Sequence, residues 1–172
     1  MLLAMSDASV LVDMAQTKLL SPMTRLPYEI VAPDFVIEEI TRQEETRAID
    51  ALVRGKKLTV LTATRDDLRR VEELQQSQAR LSFADCSVVV LAERYAAMIL
   101  TNDLRMRKVS EGKGLTCHGT IWIVRQLVQQ NAVGAERALR ALYLLVDINP
   151  RLPRAECNRL LQELQRASGG SD

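Results

Sequence analysis

The chain alternates short apolar runs with longer stretches in which apolar residues recur every three or four positions. The short runs, at Leu2–Ser6, Glu29–Ala32, Leu58–Leu61, Ala97–Thr101 and Leu115–His118, predict strands; the last two follow helical stretches and end at polar or glycine residues. The 3.6-residue period predicts helices over Ser9–Leu20, Asp34–Arg54, Arg65–Ser77, Ser82–Tyr95, Leu104–Glu111, Thr120–Gln130, Ala135–Val146 and Arg154–Ala167. Such alternation predicts an α/β fold, a parallel sheet covered by helices. In the second helical stretch the pairs Val36/Ile40 and Ala48/Leu52 do not share one straight stripe, which predicts a break near Thr41–Gln43, and Arg42, Glu44, Glu45 and Arg47 read as solvated. Gly55-Lys-Lys57 and Gly112-Lys-Gly114 read as helix stops. Residues 1–167 read as a single domain without internal repeats, and Ser168–Asp172 as a flexible tail.

Four acids interrupt this pattern where burial is expected. Asp7, Glu39, Asp85 and Asp103 each adjoin an apolar run, in Met5-Ser-Asp-Ala-Ser-Val-Leu-Val-Asp13, Pro33-Asp-Phe-Val-Ile-Glu-Glu-Ile40, Leu81-Ser-Phe-Ala-Asp-Cys-Ser-Val-Val-Val-Leu91 and Ile99-Leu-Thr-Asn-Asp-Leu104. An unpaired charge is costly there, so something must offset it. On the predicted elements Asp7 and Asp103 follow the first and fourth strands, Glu39 lies in the first turns of the second helix, and Asp85 in the first turn of the fourth. In parallel sheets those positions share the edge on which ligands bind. Capping is the simpler account of each acid alone: Ser82-x-x-Asp85 has the form of a capping box, Asp7 and Asp103 suit N-caps, and Glu39 beside Glu38 suits solvent. Capping does not explain why all four adjoin strongly apolar runs.

Composition narrows the partners. With 23 basic and 22 acidic residues the net charge is +1; setting the four acids aside leaves 18 acids and a net +5, the balance of an acidic cleft with a basic rim or of an ordinary mixed surface. Aromatic residues are only 3%, too few for a base-stacking platform. Cys86, Cys117 and Cys157 are far apart and form no C-x-x-C pair, which argues for buried reduced thiols rather than disulfides or zinc. Met1–Met5 lacks the basic lead of a signal peptide and no apolar run reaches the ~18 residues of a membrane span, so the expectation is a cytoplasmic protein without membrane association.

The four acidic motifs together resemble the PIN domain family of metal-dependent nucleases, which includes the VapC-type toxins of toxin–antitoxin pairs. Asp7-Ala-Ser9-Val-Leu-Val matches the first motif, an Asp ending the first strand with a hydroxyl residue two positions on. Glu39-Ile40 matches the second, with Glu38 as runner-up; Ala84-Asp85-Cys-Ser-Val-Val-Val-Leu-Ala92 matches the third; Leu100-Thr-Asn-Asp103 matches the fourth and most specific. The resemblance covers most of the chain, and Leu104-Arg-Met-Arg-Lys-Val with Gly119-Thr-Ile-Trp-Ile-Val124 favours the longer, uncharacterised branch over the shortest toxins. It implies a three-layer α/β/α fold and hydrolysis of RNA phosphodiester bonds, with Asp7, Asp85 and Asp103 as metal ligands and Glu39 as a ligand or a positioner of the attacking water. Oxygen-only ligands favour Mg²⁺ or Mn²⁺ over zinc. Ser9, Thr101 and Asn102 are expected to orient the carboxylates, and Arg105, Arg107 and Lys108 to hold the RNA backbone, unless they form only a solvated basic face. The resemblance also implies a homodimer, to which Leu139, Leu142, Tyr143 and Leu144 offer apolar surface unless they close the core, and a small antitoxin as partner.

Rival chemistries fit less well. A haloacid-dehalogenase-type phosphatase needs an Asp where Ser9 stands, a receiver-type domain needs a lysine after a late strand, and no P-loop or dinucleotide fingerprint occurs. His118 is the lone histidine and falls in a short strand, a poor basis for a nucleophile triad, and Trp122 reads as a core residue. A housekeeping RNA-processing nuclease and a non-catalytic RNA- or protein-binding module remain the alternatives to a toxin.

Overall fold

Each apolar run forms a strand in the computed structural model, which describes residues 2–169. The strands β1 (Leu2–Ser6), β2 (Tyr28–Pro33), β3 (Leu58–Leu61), β4 (Met98–Leu100) and β5 (Cys117–His118) build an all-parallel sheet in the order β3-β2-β1-β4-β5. Chain order runs outward from β1 to β2 and β3 on one side, then returns to place β4 against the other side of β1. Ser6 pairs with Leu100 at the ends of β1 and β4, so those strands finish side by side where the order reverses. At such a switch point the flanking connections part to opposite faces and leave a crevice beyond the carboxyl ends of the strands.

The helices are α1 (Ala8–Gln16), α2 (Leu20–Met23), α3 (Asp34–Glu38), α4 (Gln43–Arg54), α5 (Arg65–Ser77), α6 (Phe83–Tyr95), α7 (Leu104–Gly112), α8 (Thr120–Gln129), α9 (Ala135–Ile148) and α10 (Arg154–Gly169). Helix α6 packs across β1, β2 and β4 with α3, α5 and α7 against it, while α1 packs on α4 and α8, and α8 on α9 and α10. The result is a three-layer α/β/α arrangement. Ala84 and every residue from Cys86 to Ala92 are buried, so α6 is a central helix with no solvated stripe. Its Val88-Val89-Val90 run has strand propensity, which the Ser82/Asp85 capping box at its start overrides.

Three local expectations are corrected. The stretch 9–20 is not one helix: Lys18 takes φ 57 after α1, and the four-residue α2 follows. The break expected near 41–43 falls at 39–42, so Glu39 is the C-cap of the short α3 rather than a residue in the first turns of a helix. Glu45 is not solvated: it is buried, accepts a hydrogen bond from Gln16 Nε2 at 2.8 Å and lies 3.9 Å from Arg42, and the Gln16 bond holds its carboxyl below the usual range. Of the residues proposed for a dimer face, Leu142 is fully buried in the core, whereas Tyr143 and Leu144 are exposed. Helix α10 includes positions 168 and 169 of the expected tail, and 170–172 lie outside the described residues. All three cysteines are buried and free. No helix among the described residues is long and apolar enough to cross a membrane.

Candidate active site

The four acids reach one edge by four different local routes. Asp7 leaves β1 and becomes the N-cap of α1; its backbone N–H donates to Leu100 O at 3.0 Å, which ties it to the end of β4. Asp103 leaves β4 and is the N-cap of α7, its Oδ1 accepting from the backbone N–H of Arg105 at 2.7 Å and Met106 at 2.9 Å. Asp85 closes the capping box of α6, with Oδ2 accepting from Ser82 N at 2.9 Å. Glu39 stands beyond β2 at the end of α3, and its Oε1 accepts from Ser82 Oγ at 3.4 Å. Three acids thus sit at helix N-termini, where the dipole and free N–H groups lessen the cost of their charge. Capping and convergence are one arrangement, since helix N-termini and strand C-termini meet on this edge.

Hydrogen bonds link the members in pairs. Thr101 Oγ1 donates to Asp7 Oδ2 at 2.5 Å and accepts from Asp103 N at 3.0 Å, so one hydroxyl bridges the acids of β1 and β4. Ser9 Oγ donates to Asp7 at 2.9 Å and Val10 N donates to Oδ1 at 2.9 Å. Ser82 joins Glu39 to Asp85, and Glu39 rather than Glu38 makes that contact. None of the four acids belongs to an ion pair among the described residues. Burial pushes the Asp7 carboxyl up to about 6, against the pull of the Thr101, Val10 and Ser9 hydrogen bonds, with the nearby Asp85 charge adding to the rise. Burial and the Asp85 charge also raise Glu39.

This donor set suits a hard cation: it is all oxygen, negatively charged and without a cationic partner. Among the described residues, however, no three acidic, histidine or cysteine side chains are gathered tightly enough to grip a metal as they stand. Among the described residues no hydrogen bond engages Asp85 Oδ1 or Asp103 Oδ2.

Other expected site residues fall differently. Among the described residues the Asn102 side chain makes no hydrogen bond to the four acids. Its Nδ2 donates to Asp13 Oδ2 at 2.9 Å and Thr120 Oγ1 at 2.8 Å, and its Oδ1 accepts from Thr120 N at 2.9 Å. A Cβ on Gly119 would stand 2.9 Å from Asn102 Oδ1, so glycine there permits this approach. Arg107 donates to Cys117 O at 2.7 Å and Thr101 O at 3.2 Å and lies 3.7 Å from Glu111, which makes it a clasp between β4 and β5. Arg105 and Lys108 are exposed. His118 stacks on Trp122 with centroids 3.8 Å apart and planes 7° from parallel, and Trp122 also meets Tyr28, so Trp122 is half-buried packing.

The residue absent from the expected set is Asp13. It is 5% exposed, and its Oδ2 accepts from Asn102, Thr120 at 2.9 Å and Asn149 at 2.8 Å. Burial raises its carboxyl above the usual range. An acid within the apolar helix run Val10-Leu-Val-Asp-Met14 was the available signal.

Comparison with known proteins agrees with this architecture. The sequence profile of the PIN domain matches residues 3–166. VapBC2 from Rickettsia felis, in a crystal structure bound to a DNA fragment from its promoter, superposes with a TM-score of 0.50 at 12% identity over 69% of this chain and 98% of that one. PAE2754 from Pyrobaculum aerophilum superposes with a TM-score of 0.52 at 18% identity over 73% of this chain and 96% of that one. At such identities the likeness is one of fold. No curated protein matches in sequence.

Proposed function

The chain belongs to the PIN domain family, and from that premise we propose that it is a metal-dependent ribonuclease that hydrolyses RNA phosphodiester bonds. The observation that carries this reading is the set of carboxylates around the β1/β4 switch point, none of which is ion-paired among the described residues. Asp7, Asp85 and Asp103 would hold Mg²⁺ or Mn²⁺. The bound ion supplies charge neutralisation at the scissile phosphate and activation of the attacking water. Ser9 and Thr101 fix the Asp7 carboxylate, and Thr101 couples it to the backbone of Asp103. Glu39 is exposed and carries a raised pKa, which suits it to orient a water and accept its proton.

The purified protein should cut single-stranded RNA in Mg²⁺ or Mn²⁺, stop in chelator, and fail as Asp103→Asn while remaining folded. Retention of full metal-dependent cleavage by Asp103→Asn would remove the assignment. The loose gathering of the acids favours a second reading, a non-catalytic RNA- or protein-binding module; absence of cleavage at saturating Mn²⁺ with intact RNA binding would select it. The likeness in fold to VapBC2 supports a toxin role with a small antitoxin as partner, and an adjacent antitoxin-like reading frame tests that against a housekeeping nuclease. Exposed Tyr143, Leu144, Val146 and Ile148 on α9 support a homodimer, which light scattering tests.

A further inference from the structure

Two grooves of similar size approach the acidic edge, and their charges are opposite. One, of about 1000 Å³, runs past Glu39 between α1, the α3–α4 connection and α9; Asp13, Glu39, Glu44 and Glu45 line it against a single cation, Arg42. The other, of about 890 Å³, runs between the α5–α6 connection and α7; Arg80, Arg105, Lys108 and Lys113 line it, and no acid does. Lys113 is engaged by Glu93 at 3.1 Å. Arg80, Arg105 and Lys108 are exposed and enter no ion pair among the described residues.

Both walls of the basic groove lead along the chain to residues of the candidate site. Leu81 lines it and adjoins Ser82, whose hydroxyl and N–H engage Glu39 and Asp85; Arg105 lines it and lies two residues beyond Asp103. We infer that this groove holds the phosphodiester backbone of single-stranded RNA on one side of the cleavage site, with Arg80, Arg105 and Lys108 as its phosphate contacts. The inference rests on the ribonuclease reading for its substrate and adds which side of the site the strand occupies. Arg107 takes no part, because its guanidinium is committed to Cys117 O and Thr101 O. The groove contains no aromatic residue and its neutral polar lining is limited to Ser77 and Gln78, so contact is to the backbone with little readout of sequence. The acidic groove repels the same polyanion, and the strand therefore approaches the acids from the α5–α7 side.

The test is fluorescence anisotropy of a labelled single-stranded RNA oligonucleotide with the wild-type chain in chelator, where nothing is cut. Each phosphate contact on a single strand contributes about −0.7 to the slope of log affinity against log salt, so three contribute about −2. Arg80→Gln, Arg105→Gln and Lys108→Gln should each reduce the slope by about 0.7 and weaken binding severalfold at low salt, with unchanged circular dichroism. Arg47→Gln, on α4, should change neither quantity. The inference is overturned if the triple variant binds with the parental slope, or if Arg47→Gln weakens binding as much as the groove variants. A separate cleavage assay in Mn²⁺ keeps the two readings apart: parental cleavage with unaltered binding by the triple variant removes the groove alone, whereas groove-dependent binding without cleavage removes the nuclease and leaves the groove.

Discussion

Asp7 and Asp13 lie six residues apart, one capping α1 and the other within it, both 5% exposed and both with carboxyls raised by burial. Their surroundings differ. Asp13 is surrounded by neutral donors from three distant elements, Asn102 after β4, Thr120 at the start of α8 and Asn149 after α9, and no other acid contributes to its shift. Asp7 also accepts from three neutral donors, but the charge of Asp85 bears on it and Asp103, two positions beyond Thr101, shares that hydroxyl with it. Neutral donors suffice for a lone buried charge, whereas a group of charges calls for a cation. Asp13 thus clamps three elements together, whereas Asp7 has the surroundings that the proposed reaction site requires.

The sharpest test of that distinction is catalytic. Asp7→Asn should lower metal-dependent RNA cleavage at least about 1000-fold, about 4 kcal/mol in the barrier, because the amide keeps the shape and removes the charge that holds the ion. Asp13→Asn should stay within about 10-fold, because an amide oxygen can still accept from Asn102, Thr120 and Asn149. Comparable losses in both variants, measured as kcat/KM on one RNA, would erase the division between clamp and reaction site.

Stability should divide the pair the other way. Truncating Asp13 to Ala removes the acceptor for three donors; Asn102 and Thr120 keep each other, but Asn149 Nδ2 loses the one hydrogen bond it makes among the described residues. The expected cost is about 2–3 kcal/mol, read as a lower midpoint in urea at unchanged m. A midpoint within about 0.5 kcal/mol of the parent would mean that water replaces the carboxylate and that the clamp holds nothing.

The same contrast explains what the sequence exposed and what it hid. The placement of Asp7 and Asp103 was legible because each stands at a strand–helix junction, and that of Asp85 because Ser82-x-x-Asp85 marks the start of α6. Asn102 was legible only as a neighbour of Asp103: its partners Asp13 and Thr120 come from α1 and α8, and no local rule announces them. Glu45 looked solvated within a run of charges because its burial depends on Gln16, 29 positions away. Arg107 likewise read as part of a basic face until β5 supplied the carbonyl that occupies it. Strand order was readable in kind, as a parallel sheet, but the switch point between β1 and β4 is a pairing of residues about 94 positions apart, and periodicity carries no information on it.

The smallest expected effect is the pH dependence of stability without metal. The Asp7 carboxyl has a folded-state value of about 6 against 3.8 for a solvent-exposed aspartate, so the folded chain binds this proton more tightly than the unfolded chain. Stability from this group is therefore greatest below about pH 4, declines as pH rises through 6, and is lower by up to about 3 kcal/mol above it. Asp7→Asn escapes that decline but leaves the Thr101 hydroxyl without its charged acceptor, a loss of about 1–2 kcal/mol. The balance is a gain of about 1–2 kcal/mol at pH 8 in chelator, and none at pH 4, where the wild-type carboxyl is already neutral. Asp13→Asn should show a gain of the same sign, since burial raises that carboxyl too. Saturating Mg²⁺ should abolish the Asp7→Asn advantage and leave that of Asp13→Asn unchanged, because only the first carboxylate would be neutralised by the ion. Denaturant melts at pH 4 and pH 8, each with chelator and with Mg²⁺, read all of these differences; an advantage of Asp7→Asn that persists at pH 4, or survives Mg²⁺, would show that its buried charge is not what the cation is there to balance.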